Sequence, residues 1–103
     1  MVRKTIGRAA AAVGVLSLVI MPAFAYSGER LAKQAKITMT TATQIALKAR
    51  PGTVTDRELE REGGGSGLRF SFDIKNAGTT YEVGVDARDG RVLEISREGA
   101  NPD

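Results

Sequence analysis

The chain has 103 residues and contains neither cysteine nor histidine. That length holds one domain, and the composition excludes disulfide staples, thiolate ligands, and the commonest metal ligand and general base. Its formal charge of +3 comes entirely from Arg3, Lys4 and Arg8, no acidic residue precedes Glu29, and the chain from Tyr26 onward is formally neutral. Signs alternate along that part, as in Asp56-Arg57-Glu58 and Glu60-Arg61-Glu62. No basic patch able to neutralise phosphates results, and nucleic acid is disfavoured as a partner.

Residues 1–8 are positively charged, residues 9–21 are apolar, and Pro22-Ala23-Phe24-Ala25 closes the segment on small residues. A charged start, a short apolar run and a small-x-small end are the parts of a secretory signal peptide. At about 1.5 Å of rise per residue the apolar run reaches about 20 Å, short of the roughly 30 Å hydrocarbon core. Cleavage is expected between Ala25 and Tyr26, leaving no stable membrane span and sending the protein to a periplasm or the medium. Residue 26 is Tyr rather than Cys, so no lipidated N-terminus is expected.

The mature chain divides into a polar lead over residues 26–36, a domain over 37–98 and a tail over 99–103. In the lead, Leu31, Ala32 and Ala35 share one side, enough for a helical turn or two but too short to be stable alone. The main helix is expected from Thr38 as N-cap to Ala49, because Arg50 precedes Pro51 and is steered out of the α region. Within it Met39, Ala42, Ile45, Ala46 and Ala49 form one stripe at helical period. Most of that stripe is alanine, which lets the helix sit close on what it covers.

Strands follow. Residues 53–62 form a weak one, with Val54 and Leu59 as its large apolar side chains, and the glycine-rich stretch 63–67 reads as a flexible loop. Leu68, Phe70, Phe72 and Ile74 alternate with Arg69, Ser71, Asp73 and Lys75. Tyr81, Val83, Val85 and Ala87 alternate with Glu82, Gly84 and Asp86, and Leu93 and Ile95 with Glu94 and Ser96. Face parity pairs Val85 with Leu93 and Ala87 with Arg91, leaving Arg88-Asp89-Gly90 as a three-residue loop with Gly90 in the left-handed position. Around Asn76-Ala77-Gly78, parity allows a loop of two residues or four. The expected fold class is α+β, one main helix packed on a four-stranded antiparallel meander whose other face is polar and wet.

Candidate sites carry little chemistry. Asp86-Ala87-Arg88-Asp89-Gly90 resembles a calcium loop, but with Gly90 as the sixth position the first and third are Val85 and Ala87, so it reads as a turn steadied by acidic side chains. Glu58, Glu60 and Glu62 lie at strand spacing, with Arg57 and Arg61 between them, and read as a charged, protected edge. Leu47 falls away from the alanine stripe, toward solvent; it is either cover for the polar lead or a contact for a partner. Tyr81 is expected in the core with its hydroxyl at the rim. Serines without a histidine assemble no triad. No catalytic, cofactor-binding or metal residue is assigned, and no cofactor is expected.

These segments in this order resemble the PepSY domain, named for its presence in peptidase propeptides. The likeness begins at Ala35-Lys36-Ile37-Thr38 and runs through Ala42, Ile45-Ala46-Leu47, Pro51-Gly52 and the strand around Glu58-Leu59-Glu60. It continues in Leu68-Arg69-Phe70-Ser71-Phe72-Asp73-Ile74 and is most specific in Tyr81-Glu82-Val83-Gly84-Val85-Asp86-Ala87-Arg88-Asp89-Gly90-Arg91-Val92-Leu93. The resemblance implies a non-enzymatic binding module that regulates or inhibits an envelope protein such as a peptidase. No peptidase sequence follows Asp103, so the restraint is expected to act in trans. A small-ligand or ion sensor of the envelope is the alternative, and self-assembly through an edge strand is a third reading.

Overall fold

Thr38 stops the lead and starts the helix: its backbone is extended, and its hydroxyl accepts a hydrogen bond from the Thr41 N–H at 3.0 Å. The computed structural model describes residues 26–99; the expected signal segment, Ala25 at the expected cleavage point and most of the tail lie outside the described residues. Helix α1 (Met39–Ala49) ends at Arg50, which is extended before Pro51. Met39, Ala42 and Ala46 are buried, while Ile45 and Ala49 are half-buried beside them. Before the helix, the lead contains a 3₁₀ helix (Glu29–Gln34) from which Leu31 packs against the core.

Four strands form one antiparallel sheet in chain order: β1 (Thr53–Arg61), β2 (Leu68–Asn76), β3 (Thr79–Asp86) and β4 (Val92–Arg97). α1 lies over the middle strands β2 and β3 and touches β4 more lightly. Leu59, Phe70, Phe72, Ile74, Val83, Val85 and Ala87 face it and are buried. Large sheet side chains therefore meet small helix side chains, so the expected α+β class and lid arrangement are what the molecule has. Tyr81 is half-buried at the rim, where the Arg50 guanidinium lies 3.7 Å from its ring centre.

Both hairpins depart from or sharpen the expected register. In β2–β3, Asn76 pairs with Thr79, so the loop is the two residues Ala77 and Gly78, with φ of 51° and 83°. That is a type I′ turn, whose twist matches the flanking strands. In β3–β4 the expected pairing holds away from the turn, with Val83 opposite Ile95 and Gly84 opposite Glu94. Nearer the turn it fails: Val85 lies opposite Val92, and a bulge absorbs Leu93. The expected pairing of Ala87 with Arg91 is lost because Ala87 is held elsewhere. Its N–H donates to Leu68 O at 2.9 Å, and its carbonyl accepts from the Lys36 and Ile37 N–H groups at 2.8 and 3.2 Å. Asp86 takes the place instead, donating its N–H to Arg91 O at 2.8 Å, and the turn holds four residues, 87–90. Gly90, at φ 79°, does sit in the left-handed region.

Two further expectations are corrected. The 63–67 stretch does not hang free: Gly63 O accepts from Arg69 Nη2 at 3.1 Å, and Ser66 bonds Asp86 through both its N–H and its hydroxyl. The second sheet face is accordingly not wet throughout, because Arg69, Ser71 and Asp86 are buried on it.

Alanine at φ 51° bears a left-handed backbone that costs about 1–2 kcal/mol in a residue with a Cβ. Ala77→Gly should therefore raise the unfolding free energy by about 1 kcal/mol, read as a higher urea midpoint at constant slope; an unchanged midpoint would contradict the assigned turn.

Candidate functional site

Strand alternation sorts the charges that the sequence interleaves. Leu59 opposes Phe70 on the helix side, so its neighbours Glu58 and Glu60 turn to the other face, opposite Ser71 and Arg69. Asp56 and Asp73 oppose each other there, Asp73 opposes Glu82, and Gly84 opposes Glu94. The helix-free face thus gathers Asp56, Glu58, Glu60, Asp73, Glu82 and Glu94, with Arg69 and Lys75 as the strand cations among them. Arg57, Arg61 and Arg97 oppose Phe72, Leu68 and Tyr81, which places them on the helix side. A chain that is formally neutral from Tyr26 onward is in this way divided into an acidic face and a more basic one.

Acidic crowding shows in the titration of the face. Partial burial raises the Glu58 carboxyl above its ordinary range, with Glu60, Asp56 and Glu82 adding repulsion. Burial also raises Asp73, helped by Glu98 and Asp56, and raises Glu82, helped by Glu94, Asp73, Glu60 and Glu62. Like charges directly opposite, as at Asp56 and Asp73, work against pairing. Partial relief comes from Arg69, whose Nη1 meets Glu94 Oε1 at 3.0 Å, and from the Ser71 hydroxyl, which donates to Glu60 Oε2 at 2.7 Å. Among the described residues no three acidic side chains converge into a metal-binding group, so the face is a charged surface rather than a cation cage.

Asp86 is the exception on this face. Burial alone would raise its carboxyl, but the N–H groups of Ser66, Arg88 and Asp89 and the Ser66 hydroxyl outweigh burial and hold it at about 2. The donors lie 2.6 Å from Oδ2 (Ser66 N) and 2.9, 2.8 and 3.2 Å from Oδ1 (Ser66 Oγ, Arg88 N and Asp89 N). The acidic turn is thus the backbone clamp its sequence suggested. Its clamp also reaches across to the 63–67 loop, which the sequence did not disclose.

Other candidates are placed as follows. Leu47 is half-buried and packs against the core instead of facing solvent. Glu58 lies on an edge strand, but that edge is also covered: Ser27 bridges to Glu58, and Ser27 O accepts from the Leu59 N–H at 2.8 Å. Gly28 makes this approach possible, because a Cβ there would fall 1.9 Å from Leu59 O. Tyr26 stands edge-on to Phe70, with 6.5 Å between ring centres, beside a groove of about 380 Å³ that Ile37 and Met39 also line.

One helix laid on a four-stranded meander, with clamped turns and a charged open face, defines a small α+β domain. The chain matches the family model of the peptidase propeptide and YPEB domain over residues 36–96, and it belongs to this PepSY family. It is 36% identical over 63 residues to the uncharacterized protein YkoJ of Bacillus subtilis (strain 168), a match that takes in 61% of this chain. The chain spans 36% of the length of that curated relative. No solved structure gives a significant match. Among the described residues no helix is long and apolar enough to cross a membrane.

The two kinds of carboxyl set opposite pH trends. Raised groups bind protons more readily in the fold than in the unfolded chain, so stability should increase as pH falls through their raised values toward the ordinary carboxylate range. Asp86 has a depressed value, so its contribution is present above the ordinary aspartate range and is lost as pH falls from about 4 to about 2. Melting temperature followed against pH should therefore pass through a maximum in mild acid; a steady decline from neutral pH downward would contradict the assignment.

Proposed function

We propose that the protein is an exported, non-enzymatic PepSY module that regulates or inhibits an envelope protein such as a peptidase in trans, after cleavage between Ala25 and Tyr26. The observation that carries this reading is the extent of the family match, which takes in α1 and most or all of every strand. A module of this kind would act through the surfaces of its fold.

Of those surfaces, the acidic face is the best suited to a protein partner. Its carboxylates repel one another in the free molecule, and a lysine- or arginine-bearing surface would relieve that repulsion on contact. The same electrostatics would speed encounter and make it sensitive to salt. Leu47 is a weaker contact candidate, since its packing against the core supports a structural role.

The direct experiment is titration of the purified protein into envelope peptidases of the source cell, following hydrolysis of a peptide substrate. Inhibition by the wild-type chain, weakened about tenfold or more in a Glu58→Gln, Glu82→Gln double variant, is the expected result, since one lost charge contact of about 1.4 kcal/mol accounts for that factor. Undiminished inhibition by the variant would remove the acidic face from the account. Failure to bind or inhibit any envelope peptidase would remove the peptidase.

A further inference from the structure

The two edges of the sheet are finished differently. On β1 the outer side is occupied, since Ser27 accepts from Leu59 N–H and bridges to Glu58, and acidic and basic side chains line the strand. On β4 nothing among the described residues lies beyond the strand in the sheet order. Among the described residues the two exposed large apolar side chains, Val92 at 39% and Ile95 at 48% exposure, are both on β4. An open strand edge carrying exposed apolar side chains is a template for another strand.

We infer that β4 pairs with β4 of a second copy of this chain, antiparallel, about a two-fold axis through Ile95. The backbone supports this first. Glu98 donates its N–H to Thr80 O at 2.8 Å, so in the alternating antiparallel pattern Ser96 and Glu94, opposite Glu82 and Gly84, also turn their backbone groups toward β3. Ile95 and Arg97, opposite Val83 and Tyr81, turn theirs outward. A strand docking on this edge bonds to those odd-numbered residues.

Side chains then select the register. Both copies must keep the same face toward their helices, so residues of like parity oppose each other. An axis through Glu94 sets Glu94 against its own copy. An axis through Ser96 sets Glu94 against Glu98. An axis through Ile95 sets Ile95 against Ile95 and Glu94 against Ser96, with no like charges directly opposed at its centre. Only the last register joins apolar to apolar at its centre, and a two-fold contact of this kind is self-complementary and closes on itself. Both acidic faces then lie on the same side of one continuous sheet. The inference stands independently of whether the partner of that face is a peptidase.

Absence of native cysteine makes the test clean. Single substitutions Glu94→Cys, Ile95→Cys and Ser96→Cys are oxidised mildly at several protein concentrations, and the disulfide-linked dimer is read on a non-reducing gel. At a directly opposed pair the Cα atoms are about 5.5 Å apart, within disulfide reach, whereas neighbouring positions exceed about 7 Å. Efficient linkage of Ile95→Cys alone is the expected result. Sedimentation of the cysteine-free protein should show a concentration-dependent dimer that Ile95→Lys weakens about tenfold or more, with the melting temperature of the variant confirming that it folds. Equal linkage at all three positions, or a wild-type chain that stays monomeric at every concentration, would overturn the inference; the second result would leave the edge to an extended segment of another protein.

Discussion

Among the described residues Asp86 is the only carboxylate taken wholly out of water, and the fold surrounds it with four donors. Burying a charge is tolerated only when it is matched in this way. The cost of leaving any of those donors unmatched is what fixes the two loops it joins. Ser66 is brought in from the β1–β2 connection, while Arg88 and Asp89 come from the β3–β4 turn, so strands far apart in sequence are locked at one end. Its neighbour Ala87 is thereby held where its carbonyl receives the Lys36 and Ile37 N–H groups just before α1. A single side chain thus couples the polar face of the sheet to the start of the helix on the opposite face.

Coverage of the sheet on one side only accounts for much of the remainder. One helix of 11 residues can hide one face of four strands, so the other must be acceptable to water. Here it carries carboxylates whose ionisation is resisted first by partial burial and then by one another's charge. β4 lies at the margin of the helix, which touches it only lightly, and Ile95 there is left half in water.

Much of this was legible in the sequence because it depends on period. Thr38, the alanine stripe and Pro51 define α1 locally, and the alternation of Leu68, Phe70, Phe72 and Ile74 with polar residues defines β2 and its buried face. The β3–β4 register was read correctly through Val83 and Ile95 but not at Val85, since the bulge at Leu93 is imposed by what Ala87 bonds to across the sheet, and local sequence does not contain that. The docked loop was missed for a related reason: glycines in 63–67 signal freedom, and only the buried Asp86 shows what they are free to reach. The acidic face, by contrast, was available. Glu58-Leu59-Glu60 with Arg57 and Arg61 looks neutral when summed along the chain, yet at strand period its two signs point in opposite directions. Leu47 falls outside the alanine stripe by period, and only the tertiary arrangement shows that it packs against the core.

If Asp86 is the clamp, its own titration reports on it without recourse to unfolding. Carbon-13 NMR of the side-chain carboxyl, followed from neutral pH into acid on the folded protein, measures that value directly. The account requires a midpoint at about 2, well under the ordinary aspartate value of 3.8. A midpoint at or above the ordinary value would mean that the four donors do not hold the charge, and that the loops and the closing hairpin owe their positions to something else.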